Sequence, residues 1–173
     1  MRKFTDMKVL FVCLGNICRS VTAEEVMRKK LIDRGLDKEI IVDSAGLIDY
    51  HEGELADARM RDHAYRRGYR LTHRSRPVCT EDFQRFDLIL GMDEANMKGL
   101  RALAPDDLAL GKLGILADYV RIRPCSTIPD PYYGGAEGFE LVLDLVEDAT
   151  ENLLANCCKM SRKVQHLRLA TVK

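Results

Sequence analysis

Short apolar runs alternate with longer amphipathic runs along this chain, and this alternation restricts its fold more than any other feature. The apolar runs are too short for helices, and they predict four strands, at residues 9–12, 40–42, 87–90 and within 112–116. The amphipathic runs keep helical spacing and predict four helices, over residues 21–34, 55–67, 96–103 and 139–160. Strands and helices that alternate in this way form right-handed βαβ units around a parallel sheet covered on both faces.

The length and the charge balance of the chain limit the number of domains and the class of partner. Its 173 residues suit one domain with a sizeable core, because two cores would each be small. Its 27 lysines and arginines match its 27 aspartates and glutamates, whereas nucleic-acid-binding proteins usually carry a basic excess. The sequence therefore predicts a single-domain protein that does not bind nucleic acid.

The cysteines and the apolar runs indicate the compartment. The six cysteines are Cys13, Cys18, Cys79, Cys125, Cys157 and Cys158. Their spacing is irregular and no signal peptide is recognisable, which favours reduced thiols in a cytoplasmic protein over a disulfide framework. No run approaches the roughly 18 apolar residues of a membrane span, so none is expected.

The loop after the first strand carries the strongest chemical signal. Ligands of open parallel sheets bind beyond the carboxyl ends of the strands. Residues 12–20 read Val-Cys-Leu-Gly-Asn-Ile-Cys-Arg-Ser, between the first predicted strand and the first helix. Backbone N–H groups at a helix start suit a dianion, Gly15 lets the backbone curl, and Asn16 tolerates a left-handed conformation. Arg19 provides a planar fork of donors for two phosphate oxygens.

The same loop favours a reactive thiol at Cys13. A helix N-terminus and the guanidinium of Arg19 both stabilise a thiolate, and Ser20 is placed to donate a hydrogen bond to it. A lone cysteine at the end of a strand is usually a small buried hydrophobe, and a lone arginine is usually a surface charge. Because Cys13 and Arg19 occur together on one glycine-bearing turn, we favour a functional role for both residues over these two simpler interpretations. The loop lacks the Gly-Lys-Ser/Thr of a nucleotide-binding loop, and the Cys13–Cys18 spacing does not suit zinc, so no metal or cofactor is expected.

With these motifs the chain resembles the low-molecular-weight protein tyrosine phosphatase family. The resemblance rests on residues 12–20, on Asp-Ser-Ala-Gly at 43–46 and on Asp-Pro-Tyr-Tyr-Gly-Gly at 130–135. It implies an α/β fold, a single-domain three-layer sandwich with a four-stranded parallel sheet flanked by helices, of the flavodoxin-like or Rossmann-like kind. We assign residues 1–158 to the phosphatase domain and residues 159–173 to a C-terminal extension that continues the last helix or follows it.

The resemblance also implies the reaction and its participants. Cys13 would attack phosphorus and form a phosphocysteine, while Arg19 and the loop amides bind the phosphate oxygens. Asp130 would act as general acid and then as general base. The implied partner is a phosphotyrosine-containing protein, and the protein itself is expected to be a monomer or a weak dimer.

Further residues match the substrate-binding and supporting positions of the family. The substrate-binding positions are Leu14, Gly15, Asn16, Ile17, Cys18, Ser20, Tyr50, Tyr132 and Tyr133. Ser44 and His73, together with Asn16, match residues that hold the phosphate loop in shape. Tyr50 stands where many relatives have an aromatic residue, commonly tryptophan, and this chain has no tryptophan. A tyrosine keeps an aromatic face there.

The remaining cysteines and two surface features are interpreted more simply. The resemblance implies that Cys18 can capture an oxidised Cys13 as a disulfide, with a buried spectator thiol as the alternative. Cys79, Cys125, Cys157 and Cys158 are predicted to be packing thiols. The seven arginines between Arg59 and Arg76 indicate either a solvated helix face or a surface that attracts acidic phosphopeptides. The tail from Lys159 has a weak signal for a membrane surface or a partner.

Two rival functions remain open on the sequence. An arsenate reductase of the same fold also uses a Cys-x5-Arg loop, but it needs further relay thiols, and Cys79 has no cysteine close behind it. A catalytically idle phosphotyrosine-binding module is disfavoured because Cys13, Arg19 and Asp130 are all present.

Overall fold

Four strands form one sheet, which lies at the centre of the protein. The strands are β1 Met7–Cys13, β2 Ile40–Gly46, β3 Leu88–Gly91 and β4 Leu113–Ile115. All pairs are parallel and the order is β2–β1–β3–β4. The computed structural model describes the backbone of residues 7–171 and the side chains of residues 7–160. The predicted four-stranded parallel sheet is confirmed.

Helices cover both faces of this sheet. Within the described backbone they are α1 Arg19–Asp33, α2 Ala58–Arg66, α3 Asp82–Arg85, α4 Glu94–Leu103, α5 Asp107–Leu110 and α6 Ala136–Thr171, with a 3₁₀ turn at Leu116–Tyr119. Alternate side chains of β1 point to opposite layers. Val9 and Phe11 pack with residues of α1 and α6, whereas Leu10 and Val12 pack with residues of α3 and α4. This division of the core produces the predicted three-layer sandwich.

Several predicted boundaries move for local reasons. The second predicted helix begins at Ala58 rather than at residue 55, because the Asp57 carboxylate accepts a hydrogen bond from the Arg59 amide and caps the helix there. Strand β2 continues to Gly46 because it stays paired with β1 up to Cys13. The short helices α3 and α5 were not predicted, since four residues are too few to show a helical period.

The last helix is longer than predicted. Helix α6 starts at Ala136 and its backbone runs to Thr171, so it includes much of the C-terminal extension. Among the residues described, no helix combines the length and the apolar character that crossing a bilayer requires.

The predicted packing thiols differ in burial. Cys157 is buried, but Cys79 is exposed, so the prediction that Cys79 is a packing thiol is wrong. The Cys79 amide donates to the carboxylate of Asp82 at the start of α3, which leaves the thiol on the surface.

Candidate active site

The loop between β1 and α1 adopts a strained, curled shape. Asn16 has a φ of 57°, and it is the one non-glycine residue with positive φ in the described part of the chain. Few side chains tolerate this left-handed conformation, and asparagine is among them. The curl brings the Asn16 amide to 3.3 Å from Sγ of Cys13, so this N–H donates to the sulfur. The predicted conformational role of Asn16 is thus visible in the backbone.

Cys13 ends β1 at the carboxyl edge of the sheet, with its side chain 3% exposed. Its Sγ lies 3.1 Å from Oγ of Ser20. That hydroxyl oxygen already accepts a hydrogen bond of 2.8 Å from Nδ2 of Asn16. Its own proton is therefore free to point at the sulfur, so two donors, the Ser20 hydroxyl and the Asn16 amide, are placed to stabilise negative charge on the sulfur.

A buried polar network holds Asn16 from behind. Nδ2 of Asn16 also donates to Oγ of Ser44, which in turn donates to the carboxylate of Glu24. Oδ1 of Asn16 accepts from the Arg76 amide at 3.1 Å and lies 3.1 Å from Nε2 of His73. Every polar atom of the Asn16 side chain therefore has a hydrogen-bond partner. The side chain points into this network and not into the substrate cavity.

His73 sits between the amide oxygen of Asn16 and two carboxylates. Its Nδ1 lies 3.3 Å from Oε2 of Glu24 and 3.6 Å from Oδ1 of Asp43. Both ring nitrogens of His73 therefore face oxygen atoms of neighbouring side chains, which fixes the orientation of the ring. Glu24, Asp43 and His73 are also close enough to share a cation. However, Glu24 is paired with Arg28 and Asp43 with Arg76, so their charges are already matched.

Gly46 leaves room for the curled loop, and this predicts the effect of an added methyl group. A Cβ at Gly46 would meet three loop backbone atoms, at 3.0 Å from the oxygen of Leu14, 3.1 Å from the carbon of Gly15 and 3.1 Å from the nitrogen of Asn16. Gly46→Ala must therefore displace the loop. We expect kcat/KM for an aryl phosphate to fall about tenfold and the unfolding free energy to fall by about 1–3 kcal/mol.

The control for this prediction is Gly111→Ala. A Cβ there would meet its nearest atoms at 3.5 Å, an ordinary contact, and the Gly111 backbone is helical. Its activity is expected to match that of the wild type. Steady-state kinetics and thermal unfolding measure both variants, and equal activity of the two variants would contradict the steric argument.

Arg19 opens helix α1 and is 2% exposed. Its Nη1 donates to Oδ2 of Asp93 at 2.6 Å and to the carbonyl oxygen of Ile128 at 3.2 Å. Its Nη2 lies 3.3 Å from Oδ2 of Asp130. The guanidinium is thus oriented by two loops that are distant in sequence, and the predicted thiol, arginine and acid meet at one place.

Asp93 is a positioning residue that the sequence did not single out. Its Oδ1 accepts from the Asn96 amide and caps α4, while its Oδ2 binds Arg19. One carboxylate therefore fixes both the start of a helix and the orientation of the guanidinium. Its place directly after β3, at the carboxyl edge of the sheet, is the signal that would have found it.

An open cavity of about 350 Å³ lies over this loop. Its lining comprises Cys13, Leu14, Gly15, Ile17, Cys18, Arg19, Ile48, Tyr50, His51, Asp130, Tyr132 and Tyr133. The predicted substrate-binding residues line the cavity except for Asn16 and Ser20. Those two support the loop from behind, because their side chains bind one another and Ser20 lies against Cys13.

Aromatic side chains form the rim of the cavity. Tyr132 and Tyr133 meet edge to face, with ring centroids 4.9 Å apart. The guanidinium of Arg59 donates to the Tyr132 carbonyl at 3.0 Å and lies 5.5 Å from its ring centroid. Tyr50, which is 79% exposed, and His51 also line the cavity. Such walls suit a flat aromatic group.

His51 was missed in the sequence, and its position is determined by its neighbours. Its Nδ1 is 2.7 Å from the Glu54 carboxylate, and a Cβ placed on Gly15 would lie 3.2 Å from its Cδ2. The imidazole therefore rests against the phosphate loop. His51 lines the cavity because the segment that carries it folds back against Gly15, and no local sequence motif indicates that contact.

Cys18 lies in the same loop but differs chemically from a nucleophile. Burial, and secondly the negative charge of Asp57, raise the pKa of the Cys18 thiol far above its usual range. It therefore remains protonated near neutral pH. This thiol is suited to packing, and it becomes reactive only toward an oxidised neighbour.

The chain matches a known family over most of its length. Residues 8–166 match the family model described as low molecular weight phosphotyrosine protein phosphatase. A putative low molecular weight protein-tyrosine-phosphatase from Synechocystis is 46% identical over 153 residues, which cover 88% of this chain and 98% of that protein.

Solved structures show the same likeness. A crystal structure of a protein tyrosine phosphatase from Entamoeba histolytica, with Hepes in its active site, matches with a TM-score of 0.85 and 45% identity. The match covers 88% of this chain and 97% of that one. Wzb from Vibrio vulnificus, in complex with benzylphosphonate, matches with a TM-score of 0.74 and 32% identity, over 88% and 98% of the two chains.

Proposed function

The chain belongs to the low molecular weight phosphotyrosine protein phosphatase family, and from that membership we propose that it hydrolyses phosphotyrosine in proteins through a phosphocysteine on Cys13. As a member of this family it is a phosphoric monoester hydrolase. The proposal assigns the nucleophile to Cys13, phosphate binding to Arg19 and the loop amides, and acid–base catalysis to Asp130. Family membership favours this reaction over arsenate reduction and over an inactive binding module.

One observation carries the proposal. Cys13, Arg19 and Asp130 line a single cavity, and Nη2 of Arg19 lies 3.3 Å from the Asp130 carboxylate, although the two residues are 111 positions apart. A nucleophile, a phosphate-binding group and a proton donor in one cavity are what the displacement of an aryl phosphate requires.

In the first step the Cys13 thiolate attacks phosphorus in line with the leaving oxygen. The sulfur–phosphorus bond forms, the phosphorus–oxygen bond breaks, and the leaving oxygen takes a proton from Asp130. Arg19 and the loop amides bind the three equatorial oxygens, where the charge of the transition state is spread. Tyrosine has a phenol pKa of about 10, so protonation of this leaving group lowers the barrier.

The contact between Arg19 and Asp130 links phosphate binding to the general acid. Nη2 of Arg19 faces the Asp130 carboxylate. A phosphate dianion in the loop competes for that same donor, so substrate binding releases the Asp130 carboxyl group to face the leaving oxygen. Asp93 keeps Nη1 in place throughout.

In the second step water attacks the phosphocysteine. Asp130, now ionised, takes the proton of the attacking water, the sulfur–phosphorus bond breaks, and inorganic phosphate leaves with the thiolate restored. Tyr50, Tyr132 and Tyr133 support the choice of an aromatic ester, since their rings flank the cavity mouth where the tyrosine ring would lie.

Replacing Asp130 tests the proposal, because it separates substrates by their leaving groups. We expect Asp130→Asn to lower kcat for a phosphotyrosine peptide about 100-fold and kcat for p-nitrophenyl phosphate less than about tenfold. The more acidic nitrophenol leaves without help from a proton donor. Steady-state kinetics of the two substrates give the ratio directly.

Asp106→Asn serves as the matched control for this substitution. Asp106 caps α5 at the opposite edge of the sheet, and asparagine preserves that capping acceptor. Both substrates are expected to react with this variant as with the wild type. Equal losses of both substrates in Asp130→Asn would remove the general-acid role from Asp130.

The cytoplasm is the compartment that we propose for the protein. The six cysteines are irregularly spaced and none is bridged to another, a pattern usual for proteins of a reducing compartment. We also propose a monomer or a weak dimer, which sedimentation over a range of protein concentrations measures.

A further inference from the structure

The arginines between residues 59 and 76 fall into two groups that the sequence does not distinguish. Carboxylates hold four of them: Arg59 by Asp57, Arg66 by Asp62, Arg67 by Glu140, Asp144 and Glu147, and Arg76 by Asp43 and Asp82. Among the side chains described, Arg61, Arg70 and Arg74 form no ion pair, and all three are exposed. Their positive charges are therefore available to a partner.

Two of the three unpaired arginines line one groove. This groove has a volume of about 480 Å³, and Leu55, Arg61, Tyr65 and Arg70 are among its lining residues. Nε of Arg61 donates to the Ala56 carbonyl, which fixes the side chain and leaves its terminal nitrogens free to bind a partner. The acidic residue in the groove is Asp62, and Arg66 neutralises it. The groove therefore presents a net positive charge beside an exposed aromatic ring.

Arg74 extends this charge toward the active site. Arg74 pairs with Leu55 in an antiparallel bridge, and its Nη1 donates to the Gly53 carbonyl at 2.8 Å. Leu55 lines the groove, while His51 lines the active-site cavity. His51 and Leu55 are four positions apart, and an extended chain covers at most about 14 Å over that length. The two sites are thus within the reach of one short peptide.

We propose that this surface, formed by Arg61, Arg70 and Arg74, docks an acidic segment of the phosphotyrosine substrate, about four to seven residues from the phosphotyrosine itself. The inference rests on the proposed function, because the phosphotyrosine must occupy the cavity for the segment to reach the groove. Aspartates or glutamates of the substrate pair with the free guanidinium groups. Exposed ion pairs are individually weak, so the surface sets a preference among substrates rather than the chemistry.

Phosphotyrosine peptides with and without a distant acidic segment test the docking surface. One set carries glutamates four to seven residues from the phosphotyrosine, on either side of it, and a second set carries glutamines there. The wild type is expected to favour an acidic peptide over its neutral counterpart about tenfold in kcat/KM at low ionic strength, and less at high salt. The triple variant R61Q/R70Q/R74Q is expected to lose this preference.

Three controls separate docking from other causes. Arg101→Gln removes an exposed arginine of α4 that is paired with Glu94 and lies outside the groove, so this variant should keep the preference. Glutamates directly beside the phosphotyrosine should change kcat/KM equally for the wild type and the triple variant, because they cannot reach the groove. The single variants Arg61→Gln and Arg70→Gln, each expected to lose about two- to threefold, keep the test valid if the triple variant does not fold.

These measurements distinguish a failure of the docking proposal from a failure of the proposed phosphatase reaction. Hydrolysis of p-nitrophenyl phosphate and of the neutral phosphopeptide reports the proposed function in every variant. A wild type that hydrolyses both but shows no acidic preference would overturn the docking proposal alone. A preference that survives in the triple variant, or that depends only on residues adjacent to the phosphotyrosine, would overturn it as well.

Discussion

Cys13→Ser is expected to lower kcat for aryl phosphates by at least about 10⁴-fold while leaving the fold intact. The structure places two donors on the sulfur, the Asn16 amide and the hydroxyl of Ser20. These donors stabilise a thiolate, whereas a serine hydroxyl remains protonated near neutral pH and is a poor nucleophile. The hydroxyl is smaller than the thiol but accepts the same hydrogen bonds, and Arg19 and the loop amides are unchanged, so phosphate binding should persist.

The measurement combines kinetics with binding. Hydrolysis of p-nitrophenyl phosphate gives kcat, and inorganic phosphate titrated against the variant gives its affinity, expected within about tenfold of the wild type. Cys18→Ser is the matched control, because it changes a buried thiol of the same loop that remains protonated. Activity of Cys13→Ser close to that of Cys18→Ser would remove the nucleophile assignment.

Arg19→Lys is expected to lower kcat/KM about 10³-fold, although it keeps the positive charge. The guanidinium of Arg19 binds Asp93 with one terminal nitrogen and reaches Asp130 with the other. This fork remains anchored while its second nitrogen turns to a phosphate oxygen. A lysine ammonium is a single point and cannot do both. Because Arg19 is almost fully buried, water cannot replace the lost donors.

The pattern of losses distinguishes Arg19 from Asp130. Arg19→Lys should affect p-nitrophenyl phosphate and a phosphotyrosine peptide equally, and it should weaken inhibition by inorganic phosphate. Asp130→Asn should affect the peptide more than the nitrophenyl ester. Circular dichroism and thermal unfolding show whether each variant is folded. A loss of less than tenfold in folded Arg19→Lys would mean that its charge alone suffices.

The parts of the site that the sequence predicted are those built locally or carried by a motif. Cys13 and Arg19 lie six positions apart on one strand–loop–helix unit, so their proximity follows from the chain itself. Asp130 was predicted through its Asp-Pro-Tyr-Tyr motif. The burial of Glu24 and the contact of Asp93 with Arg19 were not predicted, because they depend on how separate βαβ units pack together.

The sequence by itself determined the layered fold and the chemistry of the loop that ends β1. Hydrophobic period and turn residues act over a few positions, and they specify strands, helices and a curled anion-binding turn without reference to distant segments. The tertiary structure alone decided which groups face Arg19, which side of the cavity His51 closes and which arginines remain unpaired. Those outcomes depend on contacts between segments far apart in the chain. The arginines of residues 59–76 look alike in the sequence, and they differ only because the sheet order and the helix packing bring carboxylates next to some of them.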